Sequence, residues 1–338
     1  MKALHWRFGC PLRIRATFNT AIVLLVTAPL WPAAAQAPQP YPARAVTIIV
    51  PFPPGGGTDI GARIVAQKLA DLWGRPVVIE NRGGAAGNIG LGVAAMAAPD
   101  GYTLLTGNIG TQSINPSLYK NLSYNPDTAF QPISLIAELP LVLTAHPGFA
   151  PGTIGDVVAL AKKSPGKLTY GSSGVGGAPQ LAMAMLEDAA RLDLLHVPYK
   201  GGGPMMQDVV GGHINLAFAT VLEVIGNIQG GAVKAIAVSS AQRVPSLPNV
   251  PTIAESGLAG FNSISWIGFL APAATPAAIV EKVAADTRKV VGLAEVRDRL
   301  AGQGAVPIGS TTAEFAALIA NDRARYARII ADRGIKAE

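Results

Sequence analysis

The segment Val46-Thr-Ile-Ile-Val-Pro-Phe-Pro-Pro-Gly-Gly-Gly-Thr-Asp59 constrains this chain more than any other. A short β-branched run stopped by prolines reads as a buried strand, and the three glycines make a tight turn. Beyond them Thr58 or Asp59 offers a side-chain N-cap, and Ile60, Ile64, Val65, Leu69, Leu72 and Trp73 fall on one helical face. Strand, glycine turn and helix form one unit. It recurs at Val77–Glu80, where Asn81-Arg-Gly-Gly-Ala-Ala-Gly-Asn88 leads into an Ala-rich helix reaching Ala98, and at Thr103–Thr106, followed by Gly107-Asn-Ile-Gly-Thr111. The central stretch alternates likewise, with strands expected at Leu141–Ala145, Leu168–Tyr170, Leu195–Pro198, Asn215–Phe218 and Ala235–Val238. Such alternation implies an α/β fold whose sheets are covered by helices on both faces. The C-terminal part reads as helical. Pro276–Val291 has proline near its first turn, and Thr311-Thr-Ala-Glu314 is a capping box for a helix to about Ala331.

Two extended apolar stretches, Ile133–Thr144 and Ser263–Ala271, flank the central block. Read as crossings between domains, they make the first domain discontinuous and the second an insert. The expected division is a first lobe of 36–138 plus 266–338 and a second lobe of 139–265. Two crossings form a hinge with a cleft, and in open α/β sheets ligands lie beyond the carboxyl ends of the strands, where the glycine loops are. No internal repeat is visible in the sequence.

The N-terminal residues 1–35 have the three parts of a cleavable leader. Lys2, Arg7, Arg13 and Arg15 come first, an apolar run from Ala21 to Leu30 follows, and Ala33-Ala34-Ala35 stands before Gln36. The run is shorter than the ~20 residues a membrane span needs, so a Sec-type signal peptide cut near Ala35 is expected. Cys10 precedes the apolar run and is the single cysteine, so the remainder lacks thiolate ligands and disulfides. Four of the 27 Lys and Arg but none of the 21 Asp and Glu fall in the leader, which leaves +2 on the rest. With no run of like charges, nucleic-acid binding is disfavoured. His146, His196 and His213 lie far apart with no metal-ligand spacing, so no metal is expected.

Chemistry therefore rests on two loops. In Pro54-Gly-Gly-Gly-Thr-Asp59, Gly55, Gly56 and Gly57 let backbone N–H groups approach an anion at a helix start, and Thr58 adds a hydroxyl. The second loop, Tyr170-Gly-Ser-Ser-Gly-Val-Gly-Gly177, precedes a helical run Gln180–Ala190 and offers Ser172, Ser173, Gly176 and Gly177. The alternatives are an ordinary tight turn for the first and a serine-capped helix start for the second. Neither carries Gly-x-Ser-x-Gly, Gly-x-Gly-x-x-Gly or a P-loop lysine. Asp59 could be a base or simply a cap, and Tyr199 or Lys200 could lie near the cleft or be solvated beside a glycine turn. No catalytic residue set stands out.

Taken together, several short motifs resemble one family. They are Pro51-Phe-Pro-Pro-Gly-Gly-Gly-Thr-Asp59, Glu80-Asn-Arg-Gly-Gly-Ala-Ala-Gly-Asn-Ile-Gly90, Pro99-Asp-Gly-Tyr-Thr-Leu104, Ile114-Asn-Pro-Ser-Leu118, Tyr170-Gly-Ser-Ser-Gly174, His196-Val-Pro-Tyr-Lys-Gly201 and Val250-Pro-Thr-Ile-Ala-Glu-Ser-Gly257. Their order and joint occurrence resemble the Bug-type periplasmic receptors of tripartite tricarboxylate transport. The resemblance implies a two-lobed periplasmic-binding-protein (Venus flytrap) fold, type II-like, with two mixed or parallel sheets flanked by helices and a ligand cleft at the hinge. It further implies a periplasmic monomer without cofactor or enzymatic activity, a di-, tri- or aromatic carboxylic acid as solute, and membrane transporter subunits as partners. Carried over by position, Phe52 packs against the solute body, and the loop to Asp59 contributes with Asn108 and Thr111 from the first lobe. Ser172, Ser173, Gly176 and Gly177 contribute from the second, with Tyr199 and Thr220 beside them.

Three positions depart from that pattern. Gln112 and Gln180 stand where members often have His, and Thr220 stands at a strand end where many have an acid. Lacking that acid, the site is expected to prefer a plain or aromatic carboxylic acid over an amino acid. Two other readings compete with transport. One is a receptor that presents its ligand to a sensor; the other is an exported hydrolase using a serine such as Ser173, for which no base is visible.

Overall fold

In the computed structural model, which describes residues 41–337, the opening run forms β1 (Val46–Val50), buried but for its second residue. The leader read over residues 1–35 lies outside the described residues. Next come α1 (Gly57–Trp73), β2 (Val77–Asn81), α2 (Asn88–Ala95) and β3 (Thr103–Asn108). A π-helical turn Gly110–Ile114 then runs into α3 (Asn115–Leu118). On α1 the residues Ile64, Val65 and Leu69 are buried as the spacing requires, each worth about 1.5–3 kcal/mol of apolar transfer. Leu72 departs from the expected face and is 38% exposed. Helix α2 stops three residues before the expected Ala98, because Ala98 precedes Pro99 and that position disfavours helical backbone.

β4 (Phe130–Ala145) follows, with 16 residues the longest strand among those described. The central block then alternates through α4 (Ile154–Lys163), β5 (Thr169–Ser172), α5 (Ala178–Ala190), β6 (Leu195–Pro198), α6 (Gly202–Val210), β7 (Leu216–Thr220), α7 (Val221–Gln229) and β8 (Lys234–Val238). The chain returns through β9 (Ile264–Pro272), α8 (Ala277–Gly292), α9 (Ala294–Gly302), the two-residue β10 (Val306–Pro307) and α10 (Thr312–Arg333). At the start of α10, Thr311 and Glu314 form the expected capping box. Helix α9 escaped the sequence reading because it buries only Val296 and Leu300, one turn of apolar signal.

Strand pairing gives a two-lobed α/β fold. In the first lobe β1 lies between β2 and β3, parallel to both, and β9 runs antiparallel to β3 and β4. In the second, β5 lies parallel between β6 and β7, and the C-terminal third of β4 runs antiparallel between β7 and β8. Both sheets therefore follow one order: second, first, third, an inserted antiparallel strand, fourth. That repetition is absent from the sequence because it lives in topology, not in side chains. The partner change falls at Pro140, paired with Ile264 of β9, while Leu141 pairs with Thr220 of β7. Lacking an N–H, proline fits a site where the ladder is interrupted, and Pro132 likewise sits at a register shift. The expected crossings at 133–144 and 263–271 thus correspond to β4 and β9, and the sheets are mixed because of those two strands. Among the described residues no helix is long and apolar enough to cross a membrane.

Candidate functional site

Four helices point their N-termini into one cavity. These are α1, α5, α6 and α7, whose N-caps are Gly56, Gly177, Gly201 and Thr220, and none of the four receives a side-chain capping bond. Residues from each first turn line the space, among them Gly57, Ala178, Gly202 and Thr220. Elsewhere the sequence does cap its helices: α4 and α10 carry complete capping boxes. An uncapped first turn presents unpaired N–H groups and roughly half a positive charge. No Lys, Arg or His is among the residues lining the cavity, so the positive potential of its wall is that of backbone N–H groups and helix dipoles.

The first loop is fixed from behind. Thr58 and Asp59 are not caps but lie inside α1, and Asp59 folds back so that Oδ2 accepts the Gly55 N–H at 3.0 Å. Its carboxylate also accepts from Arg63 Nε at 2.9 and 3.0 Å and from Asn81 Nδ2 at 2.9 Å. Burial alone would raise this carboxyl, but the bonds from Arg63, Asn81 and Gly55 outweigh it and hold Asp59 below the usual carboxylate range. Asp59 and Gly55 therefore shape the loop and do not line the cavity, whereas Phe52, Gly56, Gly57 and Thr58 do. Asn108 lines it too, donating from Nδ2 to Thr58 Oγ1 at 3.1 Å, which leaves the Thr58 proton for another acceptor. Thr111 is buried and braces Asn108: its N–H donates to Asn108 Oδ1 and its Oγ1 accepts the Asn108 N–H, both at 3.0 Å. Arg323 of α10 pins the same turn by donating to Gln112 O at 2.7 Å.

The serine loop divides its two serines between different tasks. Ser173 lines the cavity, but Ser172 has no exposed surface and turns beneath the loop. There Ser172 Oγ lies 2.7 Å from His196 Nε2 and donates to Gly174 O at 3.0 Å. His196 stacks on Tyr170 with ring centroids 4.8 Å apart. Glycine is required at 174 and 176, where φ is 138° and 80°. Gly176 and Gly177 both line the cavity, although the Gly176 N–H is already taken by Gln180 Oε1 at 2.6 Å. Tyr199 is not on this wall. Its hydroxyl donates to Asp208 Oδ2 at 2.5 Å, and burial together with that carboxylate pushes it up to about 12. With Lys200 it lines an adjoining outer recess that shares Phe52, Ala86, Ser173 and Gly174 with the cavity.

The cavity encloses about 50 Å³ and the outer recess about 250 Å³. At ~10–15 Å³ per water the inner space admits a carboxylate on a short stem. Across it the lobes approach closely, for a Cβ at Gly57 would collide with Thr220 Oγ1.

Asn115 and Glu223 are among the lining residues that went unread in the sequence. Asn115 donates from Nδ2 to Ala86 O and Asn88 Oδ1, at 3.0 and 2.8 Å, and its enclosed Oδ1 has no partner among the described residues. Glu223 is the ionisable group of the wall, and burial pushes it up to about 7 against opposing bonds from Thr220. Thr220-Val-Leu-Glu223 has the spacing of a capping box directly after a strand, which is the signal that could have found it. Thr220 is as free of charge as its identity dictates, yet an acid reaches the cavity from three residues further on.

The family described as "Tripartite tricarboxylate transporter family receptor" matches residues 61–335. Among solved structures, the periplasmic binding protein BugD is 35% identical, covers 88% of this chain and 100% of its own, and superposes with a TM-score of 0.84. The R. palustris protein Rpa4515 with adipate is 31% identical over 88% of this chain and 99% of its own, with a TM-score of 0.86. MatC from Rhodopseudomonas palustris with bound malate is 32% identical over 86% of this chain and 100% of its own, with a TM-score of 0.81. The family is one of receptors and not enzymes, and Ser173, the serine of the hydrolase reading, lines a cavity with no histidine among its lining residues. With the fold, the paired loops and the profile in agreement, the chain belongs to the Bug-type receptors of the tripartite tricarboxylate transporter family.

Proposed function

We propose that this protein is a periplasmic receptor that captures a small organic carboxylate between lobe 1, residues 36–138 plus 266–338, and lobe 2, residues 139–265, and delivers it to a tripartite tricarboxylate-type membrane transporter. One observation carries the reading: four uncapped helix starts, one from the first lobe and three from the second, converge on a cavity with no basic side chain. An anion is the ligand such a cradle stabilises. Adipate and malate, bound by relatives of 31% and 32% identity, are acids of this class. Thr58, Ser173 and the first-turn N–H groups hold the carboxylate, Phe52 packs on its carbon body, and the outer recess accepts whatever extends beyond. The receptor acts as a monomer without cofactor, and residues 1–35 direct export before removal near Ala35.

A thermal-shift screen with acetate, malate, adipate, citrate and benzoate tests the ligand class. Stabilisation by one or more acids at low millimolar concentration is expected, and stabilisation only by non-acidic compounds would refute the reading. Mass spectrometry of the exported protein checks the cleavage point.

A further inference from the structure

Glu223 is the part of the cavity wall that a cradle of N–H groups does not explain. It stands at the third position of α7 and lines both the cavity and a separate surface recess on the other side. Its Oε2 accepts the Thr220 hydroxyl at a long 3.5 Å, while Oε1 is enclosed and has no hydrogen-bond partner among the described residues. Two glycines make room for it. A Cβ at Gly202 would overlap Oε1, and one at Gly56 would lie 3.8 Å away.

Among the described residues lining the two spaces beside this carboxyl there is no Lys, Arg or His. From α1 it meets Gly56 and Gly57, from α6 Gly202, Gly203, Met206 and Gln207, and from its own helix Asn227 with Thr220 at the cap. Asp59, the acid in the first turn of α1, is engaged by Arg63, Asn81 and Gly55. Asp208 on α6 is engaged by Tyr199 and His213. Burial without a counter-charge is what raises Glu223 to about 7.

We propose that Glu223 contacts the solute as a neutral acid, donating a hydrogen bond from its carboxyl to a solute oxygen, so that each carboxylate is captured together with one proton. This rests on the carboxylate reading above. An ionised Glu223 would set a second negative charge beside the bound anion in a space without a basic side chain, and of two such carboxyls one holds its proton. The neutral acid gives the solute an O–H donor beside the backbone N–H groups. It also selects by ligand charge, because a solute ammonium would need the ionised form.

Isothermal titration calorimetry with malate and adipate, in paired buffers of different ionisation enthalpy, tests the proposal on the wild type and on Glu223→Gln. The wild-type association constant should be level below about pH 6 and fall towards tenfold per pH unit above about pH 8, with about one proton taken up per acid bound there. Glu223→Gln should bind with a level profile and no proton uptake, since the amide remains a donor at every pH. If the variant does not fold, wild-type proton uptake decides alone. Affinity that is independent of pH, or that rises with pH, overturns the role of Glu223 while leaving the carboxylate reading intact. Failure of malate, adipate and every acid of the thermal panel to bind at any pH overturns both.

Discussion

Gly57→Ala separates the stability of the fold from the closeness of its lobes. Gly57 begins α1 beside β1 of the first lobe, and Thr220 ends β7 of the second. A methyl group at Gly57 would collide with Thr220 Oγ1 and lie 3.2 Å from Thr220 Cβ and 3.4 Å from Cγ2. Overpacking of this kind costs about 1–3 kcal/mol. Alanine returns up to ~1 kcal/mol through its helix preference. A receptor whose lobes part when empty relieves the clash at no cost to its core, so the unliganded variant should melt within a few degrees of wild type. On binding the lobes must meet again, and the same 1–3 kcal/mol then appears as an affinity loss of about 5- to 150-fold. Differential scanning fluorimetry of the empty protein and calorimetry with the best acid of the panel measure the two quantities. Wild-type affinity in Gly57→Ala would refute the argument, because the contact would then be absent from the bound form. A large loss of stability with unchanged affinity would place the strain in the helix instead of across the cleft.

Further substitutions divide along the same lines. Ser172→Ala removes the buried link to His196 and should cost about 1–2 kcal/mol of stability with little change in affinity, whereas Ser173→Ala should weaken binding and barely move the melting temperature. Asp59 has a folded-state pKa below its unfolded value, so its contribution is present above the unfolded pKa of about 4 and is lost as pH falls through the lower folded value. Denaturant titrations should therefore show Asp59→Asn less stable than wild type at neutral pH, with the difference shrinking below about pH 4; a constant difference down to about pH 2 would contradict the assignment. Phe269 on β9 is fully buried in the first lobe's core, and Phe269→Ala should cost about 3–5 kcal/mol, read as a lower midpoint in urea with an unchanged slope.

What the sequence revealed was whatever local chemistry decides. Val46–Val50, the glycine turn and the Thr311–Glu314 capping box could be read because neighbours in the chain settle them. Contacts made at a distance were hidden. The Gly176 N–H looked available but is taken by Gln180, a residue read as the start of a helical run and as a departure from histidine. Asp59 looked like a cap or a ligand, but it lies inside α1, off the cavity wall, and Arg63 and Asn81 claim its oxygens. Ser172 and Ser173 are equivalent in the sequence, and only the folded loop, where Ser172 ends β5 bonded to Gly174 and His196, shows that Ser173 lines the cavity. Glu223 was passed over because its importance depends on Gly202, a glycine from another helix that yields it space.

The ribbon Phe130–Ala145 belongs to both lobes at once, pairing first with β9 and then with β7 and β8. Neither hemisphere can therefore be excised as a self-sufficient piece, because either cut leaves a raw sheet edge where this segment had been. Scanning calorimetry should record a single melting peak, and split-protein reconstitution should fail at breaks inside the ribbon while succeeding at exposed loop tips. One strand held in common by two cores would also bar this receptor from trading one half with a relative by simple recombination.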